Sequence, residues 1–451
     1  MCRMSPFISL TMGWAISLAV QAAPGPAPDH PNVILVVLDT VRWDCVGVLD
    51  GTNNDTPALK RLAQSGYVFN NAYSTYDRTT ESHFSIFTGL ERMTRPDGKL
   101  SKYDLPENSL PYQLKQLGYF TVGVSANTLL SRQTVPFLKP FDVYRNVYEE
   151  RTLDVIKNNP SLLARTKCVL DRFDAPFTEG SARLIVSDAV DVLKTVDEAV
   201  ARRPERAPLF LFINFMDAHD PYFPSRRFYD LKAEPLLPDF YSDVRTRFIP
   251  MWHVMIKDKQ KLDSLNVKFK DIYRYWAFTA DLTDEHVRRY KNRYRREIRY
   301  LDAKVGRLFR NLESRGLLEK SLVIITSDHG EAFGEEGLLT HSFGNKYASE
   351  VMHHVPLLFI PEVKMTHGPH VVEKQITQID LLPTFQDILG IDYGVAAMQG
   401  DSSNSFGKSF VHLLQSQVHV REKRIHLEMQ RGPEQNPGDD QRQRMKALGY
   451  L

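Results

Sequence analysis

The run Asn32–Leu38 (NVILVVL), apolar after its first residue and stopped by Asp39, does most to narrow the folds open to this chain. A short continuous apolar run rich in β-branched residues is a strand buried on both faces, the kind found inside parallel sheets. The design recurs at Phe210–Asn214 (FLFIN), at Leu322–Ile325 (LVII) ahead of Thr326-Ser327-Asp328-His329, and more weakly at Tyr119–Val124. Helical patterns lie between them, over Thr56–Ser65, Leu110–Leu117, Ile185–Val200 and Glu285–Arg315. Strands alternating with helices predict an α/β fold, with a mostly parallel central sheet sandwiched by helices. In such sheets ligands gather beyond the carboxyl ends of the strands. Asp39, His219 and the Asp328-His329 pair all fall just past strand ends.

At 451 residues the chain is too long for one small core, and one large domain with a smaller partner is expected. The net charge of +2 gives no global field for nucleic acid or for an acidic membrane surface. The basic stretch at 288–299 (RRYKNRYRREIR) is read as a solvated helix face. Arg3, the apolar Phe7–Val20 and the small residues Ala22-Ala23 form an export signal over residues 1–23. The apolar part is shorter than the roughly 20 residues that span a bilayer. A cleaved peptide and a periplasmic or secreted protein are therefore expected, with an N-terminal anchor as the alternative. No stable membrane span is expected elsewhere. Cys45 and Cys168 remain after cleavage, either paired in an oxidising compartment or present as two buried thiols.

The catalytic domain is expected over 31–391. Residues 225–284, rich in aromatics and in Lys/Arg, interrupt its rhythm as an insertion, either a surface excursion or a cap over the site. Residues 392–451 are expected to form a small, reduced C-terminal α+β subdomain with a strand at Arg424–Met429 and a loose tail over Gly432–Gln443.

The carboxylates of Asp39 and Asp328 with the imidazole of His329 suit one divalent cation. Mn²⁺ or Zn²⁺ fits most naturally, Ca²⁺ or Mg²⁺ less so. A lone strand-end Asp more often caps the next helix; two strand ends, one with an adjacent His, favour the metal. The second element is Arg78-Thr79-Thr80-Glu81-Ser82-His83 before the apolar Phe84–Phe87. With a helix starting near Ser82, Thr79 lies at its N-terminal approach, where free amides favour an anion. A Thr hydroxyl touching a divalent metal ionises more readily and can attack phosphorus or sulfur. His83 follows four residues on, facing the same region. Read alone, the stretch is a Thr/Ser capping box. His219, in Asp217-Ala218-His219, and His341 beyond a Gly/Glu-rich loop suit hydrogen bonding to the transferring group or protonation of the leaving oxygen. His353 and His354 are read as incidental.

Four blocks in order resemble the sulfatase/alkaline-phosphatase superfamily: PNVILVVLDTVRWD, TPALKRLAQSGYVFNNAYS, RYLDAKVGRLFRNLESRGLLEKSLVIITSDHGEAFGEEG and IDLLPTFQDILGI. The resemblance runs from Pro31 to about Phe410. It implies that Asp39, Asp328 and His329 are metal ligands, that Thr79 is nucleophile and ligand together, and that His219 and His341 stabilise the transferring oxygens, one of them serving as general acid. Family sulfatases carry a Cys or Ser in C/S-x-P-x-R, oxidised to formylglycine. Thr79 stands at that position, with Glu81 for Pro and His83 for Arg, and threonine does not undergo that conversion. Thr79 resembles instead the nucleophile of the family's phosphodiesterases and phosphoethanolamine transferases. Where the family often has a second Asp after the first ligand, this chain has Thr40.

These readings imply a metal-dependent hydrolase of phosphate or sulfate esters acting through a covalent Thr79 ester. Two alternatives are a phosphoryl-group transferase acting on an envelope glycan or lipid, and a catalytically inactive binding protein of the same fold. Neither substrate nor oligomeric state is legible in the residues.

Overall fold

The computed structural model describes residues 30–51, 55–91, 109–127, 129–132, 135–147, 188–204, 207–219, 222, 284–335, 339–341, 349–361, 368–392, 406–414 and 425–426. The export signal, Cys168, nearly all of the 225–284 insertion and the 432–443 tail lie outside these residues. No described helix is long and apolar enough to cross a membrane.

Eight strands form the main sheet: β1 Asn32–Leu38, β2 Tyr67–Phe69, β3 Phe120–Ser125, β4 Val143–Asn146, β5 Leu209–Phe215, β6 Ser321–Thr326, β7 Leu357–Ile360 and β8 His370–Val372. Their spatial order is β8-β2-β7-β6-β1-β5-β3-β4. All pairings are parallel except those of β7, which runs antiparallel to both β2 and β6. The sheet is thus the mostly parallel one expected. β1 sits at its centre, between β5 and β6, and the side chains from Val33 to Leu38 are buried on both faces.

Side chains alternate across a strand, so the two faces of β1 feed two cores. Val33, Leu35 and Val37 join Phe210, Phe212, Leu322 and Ile324 on one face. That face is covered by α2 Thr79–Thr88, α3 Leu110–Gln116 and α6 Leu381–Leu389, through Phe84, Phe87, Leu114, Leu382 and Phe385. Ile34, Val36 and Leu38 join Leu211, Ile213, Val323 and Ile325 on the other. There α1 Pro57–Ala63, α4 Asp188–Val200 and the long α5 Asp284–Ser314 supply Leu59, Val192, Val196, Val305 and Leu312. Each such aliphatic or Phe side chain contributes about 1.5–3 kcal/mol on burial.

Where sequence and structure differ, local physics explains it. Within the TPALKRLAQSGYVFNNAYS block, the helical pattern over Thr56–Ser65 gives α1, which ends at Ala63, and β2 follows. A side chain at Gly66 would meet the Phe359 carbonyl at 2.5 Å, so the turn depends on a glycine. The helix expected to start near Ser82 begins at Thr79. Past Asp392, the described residues 406–414 pack Phe410 against Phe69 and Phe359, and Ile425–His426 pairs with Ile391–Asp392 inside the expected Arg424–Met429 strand.

Register prepares the site. Asn146, Ser125, Asn214, Val37 and Thr326 lie side by side across β4, β3, β5, β1 and β6. A polar row thus runs just beneath the carboxyl ends from which Asp39 and Asp328 project.

Candidate metal and ester-binding site

Asp39 leaves β1 with its backbone N–H donated to Phe215 O at 2.9 Å, and its side chain is wholly buried. A buried carboxylate needs donors. Two amides supply them to the same oxygen: Asn127 Nδ2 reaches Asp39 Oδ2 at 2.8 Å and Asn214 Nδ2 reaches it at 3.2 Å. The other oxygen, Asp39 Oδ1, has no hydrogen-bond partner. Asp328 is arranged likewise. Its Oδ1 accepts from Thr40 N at 3.1 Å and from His329 N at 2.9 Å, while its Oδ2 has no hydrogen-bond partner. The His329 Nδ1–H donates to Gly330 O at 3.0 Å, which leaves Nε2 with its lone pair free of hydrogen bonds. Burial, and next the neighbouring His341, hold the His329 pKa well below the usual imidazole range, so the ring is neutral.

Asp39, Asp328 and His329 each offer one ligand atom within 4.8 Å of the others. Three buried acceptor atoms without donors, packed this closely, repel one another unless a cation lies between them. The donor set therefore fits a divalent metal, and the second oxygens and Nδ1 are tied down in the manner that orients metal ligands.

Thr79 is buried at the first turn of α2. The N-cap is Arg78 and no side chain caps the helix, so Thr79 is not spent on the capping role that the stretch suggested in isolation. Its Oγ1 accepts from Asn127 Nδ2 at 3.3 Å, the same nitrogen that holds Asp39. His83 is fully buried, donates Nδ1 to Thr79 O at 2.7 Å, and brings that nitrogen to 3.9 Å from Asp328 Oδ2. It thus binds the backbone of the Thr79 turn. His341 lies beside the site, its ring centroid 4.6 Å from that of His329 and 4.7 Å from that of His219, the latter edge to face. Asp39, Thr79, His83, His219, Asp328, His329 and His341 are thus linked into one cluster.

Several contributors carried no readable signal. Asn127 and Asn214 are single amides in apolar strands or just past them. Gln378 donates Nε2 to both Ser327 O and Asp328 O at 2.8 Å from a short 3-10 turn. Thr40 adopts φ 60°, a genuine outlier for a β-branched residue. The strained turn aims its N–H at Asp328, its Oγ1 at Asp39 O and Ala218 O, and its carbonyl at Tyr294 OH. At the position of the family's second Asp, the Thr40 backbone N–H instead holds the Asp328 carboxylate. His354, read as incidental, stacks between Trp43 and Tyr73 with centroids 4.3 and 4.7 Å away. Cys45 is buried, and burial pushes its thiol pKa up to about 12.

Fold and site together define an α/β sandwich with a metal-type donor set and an alcohol at the carboxyl ends of its central strands. The chain belongs to the sulfatase family, within the sulfatase/alkaline-phosphatase superfamily: the family model described as Sulfatase matches residues 31–391. Iduronate 2-sulfatase of Homo sapiens is 24% identical over 391 residues, covering 81% of this chain and 66% of that protein. Choline-sulfatase of Rhizobium meliloti (strain 1021) is 26% identical over 380 residues, covering 80% and 68%. The chain thus spans about two thirds of the length of these curated relatives. The phosphonate monoester hydrolase of Agrobacterium radiobacter shares the fold with a TM-score of 0.56 at 17% identity, over 88% of this chain and 79% of that one.

Proposed function

We propose that this chain hydrolyses phosphate or sulfate esters through a covalent ester on Thr79, with Asp39, Asp328, His329 and Thr79 holding one divalent cation. The observation that carries this reading is the single Asn127 amide nitrogen that bonds both Asp39 Oδ2 and Thr79 Oγ1, placing an uncapped, buried hydroxyl against the donor set. Membership of the sulfatase family and a fold shared with a phosphonate monoester hydrolase support the ester class.

A divalent cation bound there supplies positive charge that lowers the pKa of an adjacent alcohol and stabilises charge on a phosphoryl or sulfuryl oxygen. The Thr79 oxygen, its proton released to solvent beforehand and its turn aligned by Asn127 and by the His83 hold on its carbonyl, attacks the phosphorus or sulfur in line and forms the Thr79 ester. The bond to the leaving oxygen breaks as His219 or His341 gives that oxygen a proton. The same imidazole then takes a proton from the water that hydrolyses the Thr79 ester, and Thr79 departs as the alkoxide that attacked. A threonine in place of Cys or Ser favours phosphate over sulfate as the group transferred. Export through residues 1–23 fits a substrate met outside the cytoplasm.

The test is turnover of aryl phosphate monoester, phosphodiester and sulfate substrates by metal-reconstituted wild type and Thr79→Ala. Phosphoester hydrolysis that disappears in the variant supports the mechanism. Hydrolysis that survives in the variant names a different nucleophile, and no turnover by the wild type removes the hydrolase reading.

A further inference from the structure

Glu331 has no part in the chemistry above, yet it is fully enclosed beside it. Its side chain is wholly buried. A carboxylate taken out of water must be matched by donors, and the fold provides two. His341 Nδ1 lies 3.1 Å from Glu331 Oε1 and 3.2 Å from Oε2, and Tyr222 OH donates to Oε2 at 2.8 Å. Tyr222 is fixed in turn by the rings of Tyr294 and Phe333, at 5.5 and 5.7 Å. The arrangement sets His341. With the Nδ1–H given to a buried carboxylate, the nitrogen on the far side of the ring is Nε2. The His341 ring is packed against His329 and His219. Rotating the ring by a half-turn would leave the Glu331 carboxylate buried without its imidazole donor, so one orientation is enforced.

We propose that Glu331 is a positioning residue, which locks the His341 ring so that Nε2 faces the leaving-group oxygen. The proposal rests on the hydrolase reading and assigns the general acid within it. Nε2–H gives its proton to the ester oxygen as the bond from that oxygen to phosphorus or sulfur breaks. Nε2 recovers a proton from the water that opens the Thr79 ester. Tyr222 holds the carboxylate from its other side, and Glu331 belongs to the same loop as the metal ligand His329, two residues away.

The experiment compares a 4-nitrophenyl ester, whose leaving group departs without protonation, with the phenyl ester of the same acid, whose leaving group needs it. Wild type, Glu331→Gln and Tyr222→Phe are assayed on both, with metal content measured on each protein. The expected result for Glu331→Gln is kcat down by about 10²-fold on the phenyl ester. On the 4-nitrophenyl ester the loss is only a few-fold, and KM and metal content are unchanged. Tyr222→Phe shifts the same ratio in the same direction by less, and serves if the first variant fails to fold. An equal loss on both esters, or none, overturns the role of Glu331 while leaving the Thr79 reading in place. Wild type inactive on both esters overturns that reading and this inference with it.

Discussion

Asp39 and Asp328, at the ends of adjacent strands, present mirror-image carboxylates: each has one oxygen holding two N–H donors and one oxygen with none. The two bare oxygens and His329 Nε2 are what a cation would coordinate. Asp328→Ala removes one bare oxygen and the acceptor for Thr40 N. We expect metal binding, followed by calorimetric titration of metal-free protein, and ester turnover to be lost together; a variant that keeps full activity would remove Asp328 from the ligand set.

Asn127 ties the Thr79 hydroxyl to Asp39 with one nitrogen. Asn127→Ala should therefore lower both metal affinity and kcat, each by about 10–100-fold, as is usual when an outer partner of a ligand is lost. Asn214→Ala, which touches Asp39 but not Thr79, should affect metal affinity more than kcat. Equilibrium dialysis alongside steady-state kinetics distinguishes the two.

Thr40 is strained, and its side chain repays part of that strain through hydrogen bonds. Thr40→Ala keeps the left-handed backbone and loses the hydroxyl, so thermal unfolding should show about 1–3 kcal/mol of lost stability. Thr40→Gly loses the same hydroxyl but relaxes the backbone, and should be more stable than the Ala variant by about 1 kcal/mol.

Gly330 sits against the segment carrying Val351 and Met352, where an added side-chain carbon would meet Val351 O at 2.0 Å while its own N–H donates to Met352 O at 2.7 Å. Gly330→Ala must move the loop that carries His329. Metal affinity should fall by about 10–100-fold even if the fold survives, read by the same dialysis.

Asp302 on α5 accepts from Ala58 N and Leu59 N, both at 2.9 Å, at the start of α1. Burial nonetheless lifts its pKa from 3.8 to about 6. The folded chain therefore binds this proton more tightly than the unfolded chain. The stability it contributes is complete below pH about 3.8 and is lost as pH rises through about 6. Chemical denaturation of wild type and Asp302→Asn across that window should show the wild type losing stability relative to the variant; parallel curves would contradict the shift.

The central strands were legible because burial on both faces writes an unbroken apolar run, as in Asn32–Leu38. The flanking strands were not. Tyr67–Phe69 is three residues long, and Val143–Asn146 (VYRN) is only partly buried. At the site, Asp39, Asp328 and His329 announce themselves by chemistry at strand ends. Asn127, Asn214, Gln378 and Glu331 do not, because an amide or acid that orients a ligand across the sheet has no fixed sequence distance from it. Glu331 adjoins a visible motif, but only the contact with His341 gives it meaning.

The placement of β1 between β5 and β6 has a consequence in time. The Thr40–Asp328 hydrogen bond joins residues 288 positions apart, and Asn214 reaches Asp39 from a strand that is itself far along the chain. A growing or unfolded polypeptide therefore holds Asp39 early but can complete no cation-binding pocket until the strand preceding Asp328 has docked. Such non-local pairing is slow. A cation held by Asp39, Asp328 and His329 would be bound late, as a mark that the sheet has closed.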